Sequence, residues 1–105
     1  MRRYFLPLLT SVLLSSACAA ADFNGDGKAD ILWRHLNGTV AVWLMDGFTA
    51  LSTSELGAVP GNWVIEAAAD YNGDGKSDIL WRDYNTGQVV IWFMNGATIV
   101  SSEIV

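Results

Sequence analysis

Thirteen residues beginning at Asp22, DFNGDGKADILWR, return almost unchanged at Asp70 as DYNGDGKSDILWR. A fixed period of this kind constrains the fold more than any single motif, because each copy is a unit that must bury its apolar face against another. Asp22 matches Asp70 and Trp33 matches Trp81 at an offset of 48, whereas Trp43 matches Trp92 and Gly47 matches Gly96 at 49. One extra residue therefore falls in a turn of the second copy, where HLNGTV becomes DYNTGQV.

Within each copy the pattern is all β. The runs DILWR, VAVWLM or VVIWFM, and a Thr/Ser-rich segment after Asp46-Gly47 or Asn95-Gly96, are short, β-branched or aromatic, and separated by turn residues. Asn37-Gly38 and Asp46-Gly47 are strong signals for two-residue hairpins, whose central residues need positive φ. A further strand is expected in NWVIEAAA, from Asn62 to Ala69. VAVWLM and VVIWFM do not alternate apolar with polar, so both faces of that strand are expected to be covered. Hairpin sheets stacked face to face, about four short strands per copy, predict the blades of a β-propeller, with a solenoid of small hairpin units as the alternative.

Before Asp22 the chain reads differently. Met1-Arg2-Arg3 is positive, Tyr4 to Leu14 is mostly apolar, and Ser15 to Ala21 supplies small residues. That layout predicts a signal peptide over 1–21 and a secreted, extracellular or periplasmic product. The run is shorter than the roughly 20 residues a transmembrane span needs. Cys18 raises a lipoprotein anchor as an alternative, but Leu14 stands four places before it rather than three. Cleavage removes the sole cysteine, so no disulfide holds the mature chain.

Charge points to what replaces it. The chain carries 11 acidic and 6 basic residues, and loss of Arg2 and Arg3 leaves a net charge of −7. Nucleic acid calls for a basic footprint and is excluded as a partner on that ground. Six of the acids lie in the two repeated loops, with the spacing D-x-N-x-D-G-x-x-D. The side-chain oxygens of Asp22, Asn24, Asp26 and Asp30, with the Lys28 carbonyl, form one expected ligand set. Asp70, Asn72, Asp74 and Asp78, with the Lys76 carbonyl, form the other. Carboxylates this close repel one another unless a cation lies among them. Oxygen-only donors suit Ca²⁺, whereas zinc would call for His or Cys, which neither loop has. The loops share their first half with an EF-hand, but Trp33 and Trp81 stand where that motif needs its final Glu.

These two loops, each with an ILWR exit and a VWLMDG or IWFMNG strand, resemble the FG-GAP/VCBS repeat, related to the repeat of the integrin α-subunit propeller. The resemblance covers nearly all of the chain after residue 21. It implies propeller blades with Ca²⁺ in the loop between the first two strands, held by the ten residues named above. It also implies adhesion, sugar binding or a non-catalytic place beside enzymes. The Phe-Gly and Gly-Ala-Pro elements that name the family are absent, with GAVPGNW near their place.

Length sets the remaining expectations. Four blades, the smallest usual ring, need about 190 residues at this period. Residues 22–69 make a first blade without its opening strand, and residues 70–105 make a second that stops early, giving an incomplete ring of three plus four strands. Outer faces bearing residues such as Trp43 and Trp92 are expected to stay wet. Homo-oligomerisation, docking on another repeat protein, or truncation of a longer protein would each account for this. A carbohydrate-binding lectin completed by oligomerisation and an enzyme-associated module are the alternative functions.

No catalytic constellation is expected: His35 is the single histidine and Asp83 replaces it in the second copy. The tryptophans Trp33, Trp43, Trp63, Trp81 and Trp92 are expected in the blade core. Arg34 and Arg82 are expected in salt bridges with loop carboxylates or in stacking contacts.

Overall fold

The computed structural model describes residues 21–105, and the leader expected over 1–21 lies outside them except for Ala21. Every regular element is a strand: β1 (Ile31–Arg34), β2 (Thr39–Asp46), β3 (Thr49–Ala58), β4 (Trp63–Ala69), β5 (Asp78–Asp83), β6 (Val89–Asn95) and β7 (Thr98–Ile104). They form two antiparallel sheets, ordered β1-β2-β3 and β4-β5-β6-β7, so the expected three-plus-four count holds. The described residues make two blades and no closed ring. β4, the last strand of the first sequence copy, pairs with β5 and opens the second sheet.

Strand pairing assigns the faces. Opposite partners share a face, as do alternate residues along a strand. In the first sheet Leu32 lies opposite Val42 and Arg34 opposite Val40, while Ile31 pairs with Trp43 and Trp33 with Ala41. In the second, Ile79 pairs with Trp92 and Trp81 with Val90 on one face, and Leu80 pairs with Ile91 on the other. The core joins the Val40–Val42 face of the first sheet to the Ile79–Trp81 face of the second. Phe23, Val40, Val42, Ile79, Trp81 and Met94 are its fully covered members.

This corrects one expectation. Trp43 and Trp92 hold matching places in the repeat, yet only Trp43 lies on the far side of its blade, and Trp92 packs against the core between blades. Stacked repeats present opposite faces at their shared boundary, so this repeat position is outside in the first blade and inside in the next. Trp81 is the one tryptophan fully buried; Trp33, Trp43, Trp63 and Trp92 are half-buried. In each blade two tryptophans tilt against each other, Trp33 on Trp43 at 5.0 Å and Trp81 on Trp92 at 4.9 Å between ring centroids.

The turns are displaced by one residue from the expected centres. Asp46 pairs with Thr49, so the two-residue loop is Gly47-Phe48 with Gly47 at φ 60°. Asn95 pairs with Thr98 likewise, which centres that loop on Gly96-Ala97 with Gly96 at φ 62°. Glycine at the first central position supplies the positive φ that a tight hairpin needs. The extra residue of the second copy lies between β5 and β6. His35 and Thr39 close the first connection, Asp83 and Gln88 the longer second one.

Asp83 organises that longer turn. Its carboxylate accepts from Asn62 Nδ2 at 3.1 Å and from the Asn85 amide at 2.8 Å. The Asn62 hydrogen bond, foremost, and those of the turn amides hold its pKa below the usual carboxylate range. A lowered pKa means that these bonds stabilise the fold above the unfolded value of about 3.9 and are lost as pH falls through the lowered value. Asp83→Asn should therefore flatten the acid limb of a plot of melting temperature against pH below about pH 4. An unchanged acid limb would show that the turn does not depend on the charge.

Candidate metal centre

Each repeated loop curls around its first aspartate. In the second loop Asp70 Oδ1 accepts from the amides of Gly73 at 2.8 Å and Asp74 at 3.2 Å, and Oδ2 accepts from Gly75 at 2.8 Å. Asp74 Oδ1 accepts from the Lys76 amide at 2.9 Å. The first loop repeats the pattern, with Asp22 accepting from Gly25, Asp26 and Gly27, and Asp26 accepting from Lys28. Gly27 and Gly75 both stand at φ 84°, the left-handed region that lets the chain wrap.

The ninth position acts differently. Asp78 is fully buried, and its two oxygens accept from the Tyr71 amide at 3.0 Å and the Met94 amide at 2.9 Å. Asp30, also buried, accepts from Phe23 at 2.8 Å and Met45 at 2.9 Å. Met45 and Met94 stand at register shifts in the pairing of β2 with β3 and of β6 with β7. Each ninth-position aspartate therefore ties the start of its own loop to a bulged point of a strand, besides being a candidate ligand. The spacing that nominates these residues as ligands gives no sign of this second role, because the bulge is a matter of strand register.

The structure draws Asp70, Asp74 and Asp78 together, with one carboxylate oxygen of each within 4.8 Å of the others. Among the described residues those are the three acidic groups brought that close. Asn72 and Lys76 lie in the same curl, and the Asn72 side chain meets the Asp74 amide at 3.4 Å. In the first loop Asp22, Asn24, Asp26, Lys28 and Asp30 occupy corresponding positions. Lys28 reaches Asp46 at 3.8 Å across solvent, a pair worth little.

Electrostatics differ between the loops. Amide donation, from Gly75 foremost, holds Asp70 below the usual carboxylate range. Burial pushes Asp30 up against the pull of its amide bonds, and the charges of Asp26 and Asp22 add to the rise. With its folded pKa raised, Asp30 favours the fold at acid pH, and that contribution is lost as pH rises through the raised value. A positive charge in the loop would offset this cost. Hard oxygen donors, three of them carboxylates within reach of one another, fit a divalent cation of the calcium type.

The loops also meet the neighbouring blade. The Asp22 amide donates to Ser77 Oγ at 2.8 Å, the Ser77 amide returns a bond to the Asp22 carbonyl at 2.8 Å, and the Gly96 amide donates to the Phe23 carbonyl at 2.7 Å. Phe23, fully buried, plugs the space between the sheets. Arg34 spans the same boundary. Its guanidinium lies 5.0 Å from the centre of the Trp81 ring and donates to the carbonyls of Val59, Pro60 and Trp63. Of the two expectations for this arginine, stacking is met, and backbone carbonyls take the place of loop carboxylates. Phe23 and Ser77 were passed over in the sequence. The two loops differ at two places, Phe23 against Tyr71 and Ala29 against Ser77, and these differences are the signal that the sequence offers for both residues.

Repeated antiparallel blades stacked face to face, each carrying an acidic loop just before its ILWR strand, define a propeller-type repeat module. A family model described as FG-GAP-like repeat matches residues 22–81, and the chain belongs to that family. No curated protein and no solved structure matches it.

Proposed function

We propose that the protein is an exported, calcium-binding propeller module with a non-catalytic role in binding or structure. The observation that carries this reading is the convergence of Asp70, Asp74 and Asp78 within 4.8 Å, in a loop whose ligand pattern the chain writes twice. Asp70, Asn72, Asp74, Asp78 and the Lys76 carbonyl would hold one ion. Asp22, Asn24, Asp26, Asp30 and the Lys28 carbonyl would hold the second. The ion supplies positive charge among carboxylates that otherwise repel, and so clamps each loop between its strands. Export rests on the leader pattern before Asp22, and the medium outside the cell suits sites of modest affinity, with Kd about 10⁻⁴ to 10⁻³ M. The repeat writes no histidine or cysteine twice, which supports a non-catalytic role.

Calorimetric titration and thermal melting test the reading. Calcium at 100 times Kd should add about 2.7 kcal/mol for each site. In a domain of this size that raises the melting temperature by about 10 °C or more per site. Asp74→Ala should erase one site's share of this shift and change the melting temperature little in chelator, because its carboxylate is exposed. Absence of heat and of any melting shift on folded protein would reject calcium binding. An equal loss with Asp74→Ala in chelator would assign that residue to the fold alone.

A further inference from the structure

The contact between the two blades has a polarity, and each half of it is written a second time on a face that no other described strand covers. The first blade presents Asp22, Phe23 and Arg34 to the second, which receives them with Ser77, Gly96 and Trp81. By the repeat, the second blade carries the presenting set again as Asp70, Tyr71 and Arg82. The first blade carries the receiving set again as Ala29, Gly47 and Trp33. Burial follows this division. Phe23 is 0% exposed and its counterpart Tyr71 is 41% exposed. Arg34 is half-buried over a tryptophan, while Arg82 is exposed; Ser77 and Gly96 are buried, while Ala29 and Gly47 are exposed.

We infer that a second copy of this chain docks head to tail on the first, the Tyr71–Arg82 face of one blade seating on the Ala29–Gly47 face of the other copy's first blade. The occupant follows from continuity with the contact already present inside the chain, which the new interface repeats. The Tyr71 ring takes the place of Phe23, the Arg82 guanidinium approaches Trp33, and the Gly47 amide reaches the Tyr71 carbonyl. Such an interface is heterologous, so copies add in one direction until a ring closes or a filament extends. Two elements of the internal contact lack a counterpart there among the described residues, the first being the Val59, Pro60 and Trp63 carbonyls that Arg34 reaches. The second is a hydroxyl: Ala29 has none to accept from the Asp70 amide, as Ser77 Oγ accepts from Asp22.

The second gap permits a test in both directions. Sedimentation velocity on the full chain in millimolar calcium should show a species larger than the monomer that grows with protein concentration. Arg82→Glu and Tyr71→Ala should return it to monomer while leaving calcium-dependent melting of the monomer in place. Ala29→Ser should supply the missing acceptor and shift the association midpoint to about fivefold lower concentration, the effect of one net hydrogen bond. The serine is tolerated in this loop, since the second copy already carries it as Ser77. A monomer at every concentration, with calcium bound, would overturn the proposal and leave the face to a different repeat protein. An oligomer indifferent to both Arg82→Glu and Ala29→Ser would also overturn it, by placing the contact elsewhere. Calcium binding is read separately by the melting shift, so failure of the metal reading and failure of this one are distinct outcomes.

Discussion

Asp78→Ala should destabilise the protein by about 3 kcal/mol even in excess chelator, because it leaves one buried and one part-buried amide without acceptors. The carboxylate is completely covered, with the Tyr71 amide at 3.0 Å on one oxygen and the Met94 amide at 2.9 Å on the other. Each orphaned donor costs about 1–3 kcal/mol, a large part of the 5–15 kcal/mol that holds a typical domain together. Urea unfolding in chelator measures this share, and the same titration in calcium adds the loss of a ligand. Asp74→Ala is the contrast, since its effect should appear only with calcium present. If Asp78→Ala is silent in chelator, the tie between loop and strand contributes nothing of its own.

Arg34→Ala should cost about 2–3 kcal/mol, for a different reason. The side chain crosses the blade boundary, gives hydrogen bonds of 2.9 to 3.3 Å to the carbonyls of Val59, Pro60 and Trp63, and covers the Trp81 ring. Burial holds its pKa below the usual arginine value, so ordering the charge there already costs something that these contacts must exceed. Arg34→Lys should recover little, because a lysine lacks the planar fork that reaches separate carbonyls while stacking on a ring. Arg82→Ala, at the exposed counterpart, should stay within about 0.5 kcal/mol when measured on the monomer. Chemical denaturation of the three variants decides the matter. Equal losses at Arg34 and Arg82 would mean that the arginines matter for charge and not for the boundary between blades.

The two arginines also show where reading the sequence stops. Both follow a tryptophan in the same five-residue run, and the repeat makes them equivalent. Local pattern cannot tell that one is clamped and the other free, because the difference arises from which blade has a neighbour on that side. Trp43 and Trp92 make the same point with apolar side chains. The hairpin centres were legible to within one residue. Strand register, set by side-chain packing as well as by the turn, moved the centre from Asp46-Gly47 to Gly47-Phe48.

The repeat, the all-β strands with their three-plus-four division and the oxygen-rich loops are legible in the sequence, because strand propensity, turn chemistry and donor spacing act over a few neighbouring residues and the chain writes them twice. Tertiary structure alone decided that Asp30 and Asp78 anchor bulged strands, that Phe23 rather than Tyr71 is buried, and that Ser77 joins the blades. Those outcomes depend on groups 15 to 55 residues apart along the chain, brought together when one sheet covers the face of the next.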